Sequence, residues 1–136
     1  MLIVDDDDIE IEGLCRALTK AKITNPTHVV HDGIEALELL RGEAETTVPR
    51  PFIVLLDIQM PRMTGLEMLE VLRQDEKLKD TVVFILTTSQ AQNDIISAYN
   101  LNVAGYIVKE RAGADFSDLV VFLDRYWRVV ELPPDH

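Results

Sequence analysis

The chain carries carboxylate, hydroxyl and ammonium side chains that each follow directly on a short apolar run. Asp57 ends a run of five apolar residues, and Asp5 and Asp6 follow the apolar opening of the chain. Thr87 follows a run rich in β-branched residues, and Lys109 follows the last such run. Runs of this kind are typical of strands buried on both faces of a parallel sheet, whose carboxyl ends meet at one edge. We therefore expect these five side chains to lie close together.

Such a set of side chains has a definite chemistry. Clustered carboxylates repel one another, and a divalent cation relieves that repulsion because Mg²⁺ binds through one or two carboxylates together with phosphate oxygens and water. A carboxylate beside the cation can act as a nucleophile toward phosphorus and form an aspartyl phosphate. An ammonium and a hydroxyl suit the oxygens of a transferred phosphoryl group. The set therefore predicts phosphoryl transfer to a carboxylate.

The elements that must position these residues alternate regularly along the chain. Each apolar run is followed by a segment with apolar residues at helical spacing, and the last helix is expected over about 115–130. Five such alternations predict an α/β fold of the doubly wound kind, with a parallel sheet covered on both faces. The predicted strands are Met1–Val4, His28–His31, Phe52–Leu56, Thr81–Leu86 and Gly105–Val108.

Composition excludes several classes of protein. The 136 residues are 47% hydrophobic and 27% charged, which is typical of one globular domain rather than a disordered chain. A formal net charge of −11 argues against nucleic acid as a partner, since such binding depends on Lys and Arg. No apolar run has the length of a membrane helix. The single Cys15 excludes an internal disulfide framework, and together with the lack of a secretory signal it predicts a cytoplasmic location.

Four segments resemble the receiver domain of bacterial two-component response regulators. Val4-Asp5-Asp6 resembles the acidic pair after the family's first strand, and Leu55 to Gly65, with its Met-Pro-Arg-Met tail, resembles the phosphoacceptor segment. Leu86-Thr87-Thr88 resembles the segment of the switch threonine, and Gly105 to Lys109 that of the aromatic switch residue and the lysine. The segments occur in the family's order over nearly the whole chain, so that the joint match is specific.

The resemblance implies a flavodoxin-like (βα)₅ receiver domain over residues 1–136, with strand order 2-1-3-4-5 and no output domain. Asp57 would accept a phosphoryl group from a histidine kinase, and the domain would catalyse only this phosphorylation and its reversal. Mg²⁺, or Mn²⁺ in its place, would be bound by Asp6, Asp57 and the backbone carbonyl of Gln59, with Asp5 acting through water.

The resemblance also implies how the signal would leave the site. Thr87 and Lys109 would bind the phosphoryl group, and Tyr106 would turn inward on phosphorylation. This change would remodel the face made by the fourth helix, the fifth strand and the fifth helix. Gln59 and Ser89 occupy the positions that tune autodephosphorylation in the family.

Two positions depart from the family's pattern. Glu110 stands where receivers usually have a proline after the lysine, and Thr88 stands beside Thr87 where many members have a smaller residue. We expect Thr88 to take part in the phosphoryl site and to narrow solvent access to the acyl phosphate.

A narrower resemblance concerns the loop 41–51 and the tail 122–133. Both are similar to those of small stand-alone regulators paired with bacterial and cyanobacterial phytochromes, so a phytochrome-type kinase is the expected partner. Several of those regulators form dimers through the faces of the fourth and fifth helices. The last helix here has more apolar residues than one core-facing stripe needs, which predicts a homodimer interface. The expected interface residues are Phe122, Tyr126 and Trp127.

Two other functions are compatible with parts of the sequence. The acidic run also fits the start of haloacid-dehalogenase-like phosphatases, with Asp5/Asp7 or Asp6/Asp8 as the pair, but that function would leave the Met60 to Gly65 tail without a role. A receiver fold used only for docking and never phosphorylated typically loses the acceptor or the lysine, and both are present here. His28 and His31 are interpreted as structural, and no glycine-rich loop for ATP is present.

Overall fold

The computed structural model describes residues 1–23, 25–42 and 53–133. Within these ranges, one parallel sheet has the strand order β2-β1-β3-β4-β5, which confirms the predicted fold. Phe52 and most of the predicted 41–51 loop lie outside the described residues. The strands are β1 (Leu2–Val4), β2 (His28–Val30), β3 (Ile53–Leu56), β4 (Val82–Thr87) and β5 (Gly105–Val108).

The helices begin where side chains can cap them. Asp7 accepts hydrogen bonds from the backbone N–H groups of Ile9 and Glu10 at the start of α1, and Thr64 forms a reciprocal capping box with Glu67 at the start of α3. None of these helices is long and apolar enough to cross a membrane over the residues described. The helices are α1 (Asp8–Lys20), α2 (Gly33–Leu40), α3 (Gly65–Gln74), α4 (Gln92–Asn100) and α5 (Ser117–Val129).

The last helix begins later than the sequence predicts. Asp115 and Phe116 adopt left-handed backbone angles, with φ of 51° and 63°, which a right-handed helix cannot continue through. They form a short 3₁₀ turn instead, and α5 starts at Ser117. The Phe116 ring packs toward α1 at Gly13, so that the turn connects the two helices on this face of the sheet.

The sheet separates two apolar cores. Val54 and Leu56 of β3 face the core beneath α2, α3 and α4, whereas Ile53 and Leu55 face the core beneath α1 and α5. Because both faces are covered, every residue of β3 is apolar, as the uninterrupted run in the sequence predicts. Cys15 packs half-buried against the second core, which agrees with its interpretation as a structural residue.

Arg73 connects three segments at the edge of the sheet opposite the carboxyl ends. Its guanidinium donates hydrogen bonds to the backbone carbonyls of Leu101 (2.7 Å), Lys79 (2.7 Å), Thr81 (2.8 Å) and Asn102 (3.0 Å). A carbonyl that loses its donor keeps the cost of desolvation. We expect Arg73→Ala to lower the free energy of unfolding by about 2–4 kcal/mol, measured by urea denaturation.

Arg125→Ala is the matched control. Arg125 is exposed on α5, and its replacement by alanine removes the same charge. It should change the free energy of unfolding by less than about 0.5 kcal/mol. Equal losses in the two variants would contradict the structural role of the Arg73 hydrogen bonds.

Candidate functional site

The site is built at the carboxyl edge of the sheet by the ends of β1 and β3. The backbone N–H of Asp57 donates to the carbonyl of Val4 at 2.9 Å, and that of Asp5 donates to Val30 at 3.1 Å, so that both residues continue the strand pairing. This pairing fixes their side chains beside each other. One carboxylate oxygen from each of Asp5, Asp6 and Asp57 lies within 4.8 Å of the others. Asp5 and Asp57 are buried, whereas Asp6 is exposed.

Lys109, from the end of β5, brings the positive charge to this cluster. Its Nζ lies 3.2 Å from Asp5 Oδ2 and 3.5 Å from Asp57 Oδ2, and it also contacts the carboxylate of Glu10. Burial lowers the pKa of Lys109, but the hydrogen bond to Glu10 and the charges of Asp57 and Asp5 outweigh it and raise the pKa to about 12. The ammonium is therefore charged throughout the physiological range.

Glu10 is the residue of this site that sequence reasoning missed. It lies in the first turn of α1, where an acidic residue normally needs no explanation beyond the helix dipole. Its contact is with a lysine 99 positions away. No local pattern could have indicated it.

The donor set fits a divalent cation. It offers three carboxylates against one ammonium, and hard oxygen ligands are those that Mg²⁺ and Mn²⁺ prefer. The backbone N–H of Gln59 donates to Asp57 Oδ1 at 3.4 Å, which places Gln59 next to the Asp57 carboxylate. That the backbone carbonyl of Gln59 binds the cation stays a prediction.

The pKa of Asp5 is shifted by this arrangement in the protein without a cation. Burial raises the pKa of Asp5 to about 6, aided by the charge of Asp57, while the N–H of Asp7 and the Lys109 ammonium lower it. Asp5 is thus easier to protonate in the folded protein than in the unfolded chain, where its pKa is 3.8.

A pH dependence follows for the protein in EDTA. Because the folded-state pKa of Asp5 is raised, the folded state binds more protons between pH 3.8 and about 6, and Asp5 makes the free energy of unfolding fall as the pH rises through this window. We expect a contribution of about 1–3 kcal/mol. Urea denaturation from pH 4 to 7 should show it in the wild type and not in Asp5→Asn, and Mg²⁺ should remove it. Identical pH profiles for the two proteins would contradict the assignment.

The end of β4 supplies the hydroxyl groups. Thr87 is fully buried, and its hydroxyl accepts a hydrogen bond from the N–H of Ser89 at 3.4 Å, whereas Thr88 is exposed. The Ser89 hydroxyl donates to Asp94 at 2.6 Å and accepts from the N–H of Ala91 at 3.3 Å. Ser89 is therefore engaged at the start of α4 in this structure.

Tyr106 joins β5 to the segment after β4. Its hydroxyl donates to the backbone carbonyl of Ser89 at 2.9 Å, and its half-buried ring packs against the first core. Burial raises the pKa of the phenol. The ring already has an inward position here, and the dependence of that position on phosphorylation stays a prediction.

Two side-chain contacts hold the loops around the site. Arg62 follows Pro61 with a left-handed φ of 64° and donates to Asp32 from Nε at 2.9 Å and from Nη2 at 2.7 Å. Glu110, the residue in the family's proline position, accepts a hydrogen bond from Gln90 and lies in a 3₁₀ turn that begins at Lys109. Neither contact was indicated by the sequence.

The predicted interface residues differ in exposure. Phe122 is 44% exposed, whereas Tyr126 and Trp127 are half-buried against the second core. Tyr126 packs edge-to-face on Phe84, with ring centroids 4.9 Å apart, which explains why it is held inward. The exposed large apolar residues on α4 and α5 are Ile96, Tyr99, Val121, Phe122 and Val129.

The remaining residues of the acidic run do not have the roles that the phosphatase alternative would give them. Asp7, the partner of Asp5 in that alternative, is exposed and caps α1, so that its carboxylate is occupied by two backbone N–H groups. Asp8 contacts His31, whose Nε2 lies 3.1 Å from Asp8 Oδ1. Both side chains are exposed, and the structural role of His31 stays a prediction.

Comparison with known proteins gives a consistent result. The sequence model of the response regulator receiver domain family matches residues 1–120. Response regulator Rcp1 of Synechocystis sp. strain PCC 6803 is 32% identical over 136 residues, which cover 98% of this chain and 92% of the relative. The crystal structure of Mn²⁺-bound Rcp1 matches with a TM-score of 0.81 at 31% identity, over 98% of this chain and 97% of that one.

The phosphorylated cyanobacterial phytochrome response regulator RcpA has a TM-score of 0.87 at 31% identity, over 98% of this chain and 96% of its own. The bacteriophytochrome response regulator RtBRR has a TM-score of 0.76 at 33% identity, over 98% of this chain and 82% of its own. These relatives confirm the resemblance to regulators of the phytochrome class. With four strand ends placed as the motifs predict and a family match over most of its length, the chain belongs to the response regulator receiver domain family.

Proposed function

We propose that residues 1–136 act as a receiver domain that accepts a phosphoryl group from a histidine kinase onto Asp57. The observation that carries the proposal is the position of the Asp57 carboxylate. It is buried at the end of the central strand, beside the carboxylates of Asp5 and Asp6 and 3.5 Å from the ammonium of Lys109. A carboxylate in that setting is suited to nucleophilic attack on phosphorus.

In the proposed reaction, one Asp57 oxygen attacks the phosphorus of a phosphohistidine. The new O–P bond forms as the P–N bond breaks, and the imidazole leaves with the electron pair. Lys109 compensates negative charge on the phosphoryl oxygens, and the hydroxyls of Thr87 and Thr88 lie at the neighbouring strand end. Mg²⁺ or Mn²⁺, bound by Asp6, Asp57 and the carbonyl of Gln59 with Asp5 through water, would supply further positive charge when present.

We propose that the signal leaves through the face made by α4, β5 and α5. The hydrogen bond from Tyr106 to Ser89 connects β5 with the segment that follows Thr87, the last residue of β4. The apolar residues exposed on α4 and α5 favour a homodimer through this face, and the interface residues that we propose are Phe122, Tyr126 and Trp127. Gln59 and Ser89 would tune the rate at which the phosphoryl group is lost.

The partner we propose is a phytochrome-type histidine kinase in the cytoplasm. RcpA and RtBRR, both more than 30% identical over nearly all of this chain, are described as phytochrome response regulators, and a further relative as acting in red light signalling of R. palustris. The chain's own net charge of −11 favours a basic docking surface on that kinase.

Intact-mass spectrometry after incubation with acetyl phosphate and Mg²⁺ tests the proposal. The wild type and Asp8→Asn, in which an exposed carboxylate of the same acidic run is removed, should each gain one phosphoryl group, and Asp57→Asn should gain none. Size-exclusion chromatography of the same samples reports dimer formation. Labelling of Asp57→Asn at the wild-type level would refute the assignment, and so would a wild type that takes no label from either acetyl phosphate or a phosphorylated phytochrome-type kinase.

A further inference from the structure

Glu10 contacts the functional lysine but has no part in the reaction proposed above. Its backbone N–H is fixed by the Asp7 cap, so that the side chain projects from the first turn of α1 toward the carboxyl edge of the sheet. It lines the same small cavity as Asp5, Asp57 and Lys109. Its side chain is 29% exposed, which is far less than that of Glu12 on the same helix, at 74%.

The contact occupies the last donor of the Lys109 ammonium. A lysine has three N–H donors, and here three carboxylates surround Nζ, from Asp5, Asp57 and Glu10. A phosphoryl group on Asp57 needs at least one of these donors. Asp5 is anchored in the strand pairing and Asp57 is the acceptor itself, so Glu10 is the competitor that must give way.

The negative charge of Glu10 also disfavours phosphorylation of Asp57. Phosphorylation adds negative charge at Asp57, next to an ammonium that Glu10 already neutralises in part. The incoming donor is itself an anion, and the site before a cation binds holds more carboxylates than cations. Removing the charge of Glu10 therefore favours both the approach of the donor and the phosphorylated state.

We propose that Glu10 is a positioning residue that holds Lys109 in its unphosphorylated arrangement and thereby slows transfer of the phosphoryl group to Asp57. The inference rests on the proposed function, since it concerns the rate of that same reaction. Glu10 restrains the lysine that would contact the oxygens of the phosphoryl group on Asp57, and it does not touch that group itself.

The rate of labelling by a subsaturating concentration of acetyl phosphate, at fixed Mg²⁺, tests this inference. Glu10→Gln keeps the size of the side chain and an acceptor oxygen but removes the charge, and it should be labelled about 3–10 times faster than the wild type. Glu12→Gln removes the same charge from the exposed face of α1, where Glu12 pairs with Arg16, and its rate should stay within about 1.5-fold of the wild type. Urea denaturation of each variant verifies that it is folded.

Two further measurements separate positioning from a general charge effect. The NMR chemical shifts of the Lys109 side chain should change in Glu10→Gln and stay unchanged in Glu12→Gln, because only Glu10 contacts the ammonium. In a Lys109→Gln background, the Glu10→Gln exchange should no longer accelerate labelling, because the group on which it acts is gone.

The inference is overturned if Glu10→Gln is labelled no faster than the wild type, if Glu12→Gln is accelerated equally, or if the acceleration persists without Lys109. A wild type that takes no phosphoryl group would refute the proposed function and this inference with it. A wild type labelled on Asp57 together with an unchanged Glu10→Gln rate would refute the inference alone.

Discussion

Lys109→Ala is expected to lower the free energy of unfolding in EDTA by about 3–5 kcal/mol and to reduce labelling by acetyl phosphate at least about 100-fold. The ammonium is one-tenth exposed and contacts three carboxylates, and its removal leaves their charges without compensation. Mg²⁺ should restore part of the lost stability, because the cation takes over that compensation. The affinity for Mg²⁺ should therefore be retained while phosphorylation is lost.

Urea denaturation in EDTA and in Mg²⁺, together with intact mass, measures both effects. Lys79→Ala is the matched control, since the Lys79 side chain is exposed and its ammonium pairs only with Glu76 among the contacts described. It should change stability by less than about 0.5 kcal/mol. A Lys109→Ala protein that is labelled at the wild-type rate would contradict the role of the ammonium at the phosphoryl group. A loss of stability that Mg²⁺ leaves untouched would contradict the electrostatic explanation.

Gly65→Ala is expected to distort the site directly and to cost about 3 kcal/mol or more of stability. A Cβ at Gly65 would lie 2.1 Å from the carbonyl oxygen of Asp57, 2.9 Å from its carbonyl carbon and 3.0 Å from Cα of Ile58. All three are backbone atoms at the end of the central strand, and they cannot move away as the tip of a side chain would. The N–H of Gly65 also donates to the carbonyl of Ile58 at 2.9 Å, and this hydrogen bond closes the turn.

Gly13→Ala provides the comparison for Gly65→Ala. Gly13 lies inside α1, and a Cβ there would meet only the Phe116 ring at an ordinary distance of 3.4 Å, so that alanine should be neutral or stabilising by up to about 1 kcal/mol. Thermal or urea unfolding measures stability, and titration with Mg²⁺ measures the site. If Gly65→Ala is as stable as Gly13→Ala and binds Mg²⁺ like the wild type, the close approach of α3 to Asp57 is not required.

The parallel sheet and the residues at its strand ends were predictable because burial on both faces leaves a strong pattern, whereas the strand order was implied by the resemblance to the receiver family. Each residue of β3 is apolar for a reason that a sequence displays, and the first polar residue after it must lie at the edge of the sheet. By the same logic, the sequence places Asp5, Asp57 and Lys109 together at that edge. Their roles in phosphoryl transfer stay predictions until the labelling experiments are done.

What the sequence did not indicate depends on contacts between distant segments. Glu10 has the appearance of an ordinary helix-start carboxylate, and Arg73 that of a solvated helix residue whose four carbonyl partners have no signature in the sequence. The start of α5 was predicted too early because the left-handed angles of Asp115 and Phe116 arise where Phe116 packs toward α1. The width of the apolar stripe on α5 likewise could not distinguish exposed Phe122 from half-buried Trp127.

The pairing of β1 with β3 has a consequence for how the chain folds. Val4 pairs with Leu56, so Asp5 and Asp57 meet only after segments about fifty residues apart have come together. An N-terminal β1-α1-β2 intermediate would hold Asp5 and Asp6 without Asp57 and would have no complete site. Mg²⁺ should therefore bind only late on the folding pathway and stabilise the finished domain by mass action, so that added cation slows unfolding more than it speeds folding.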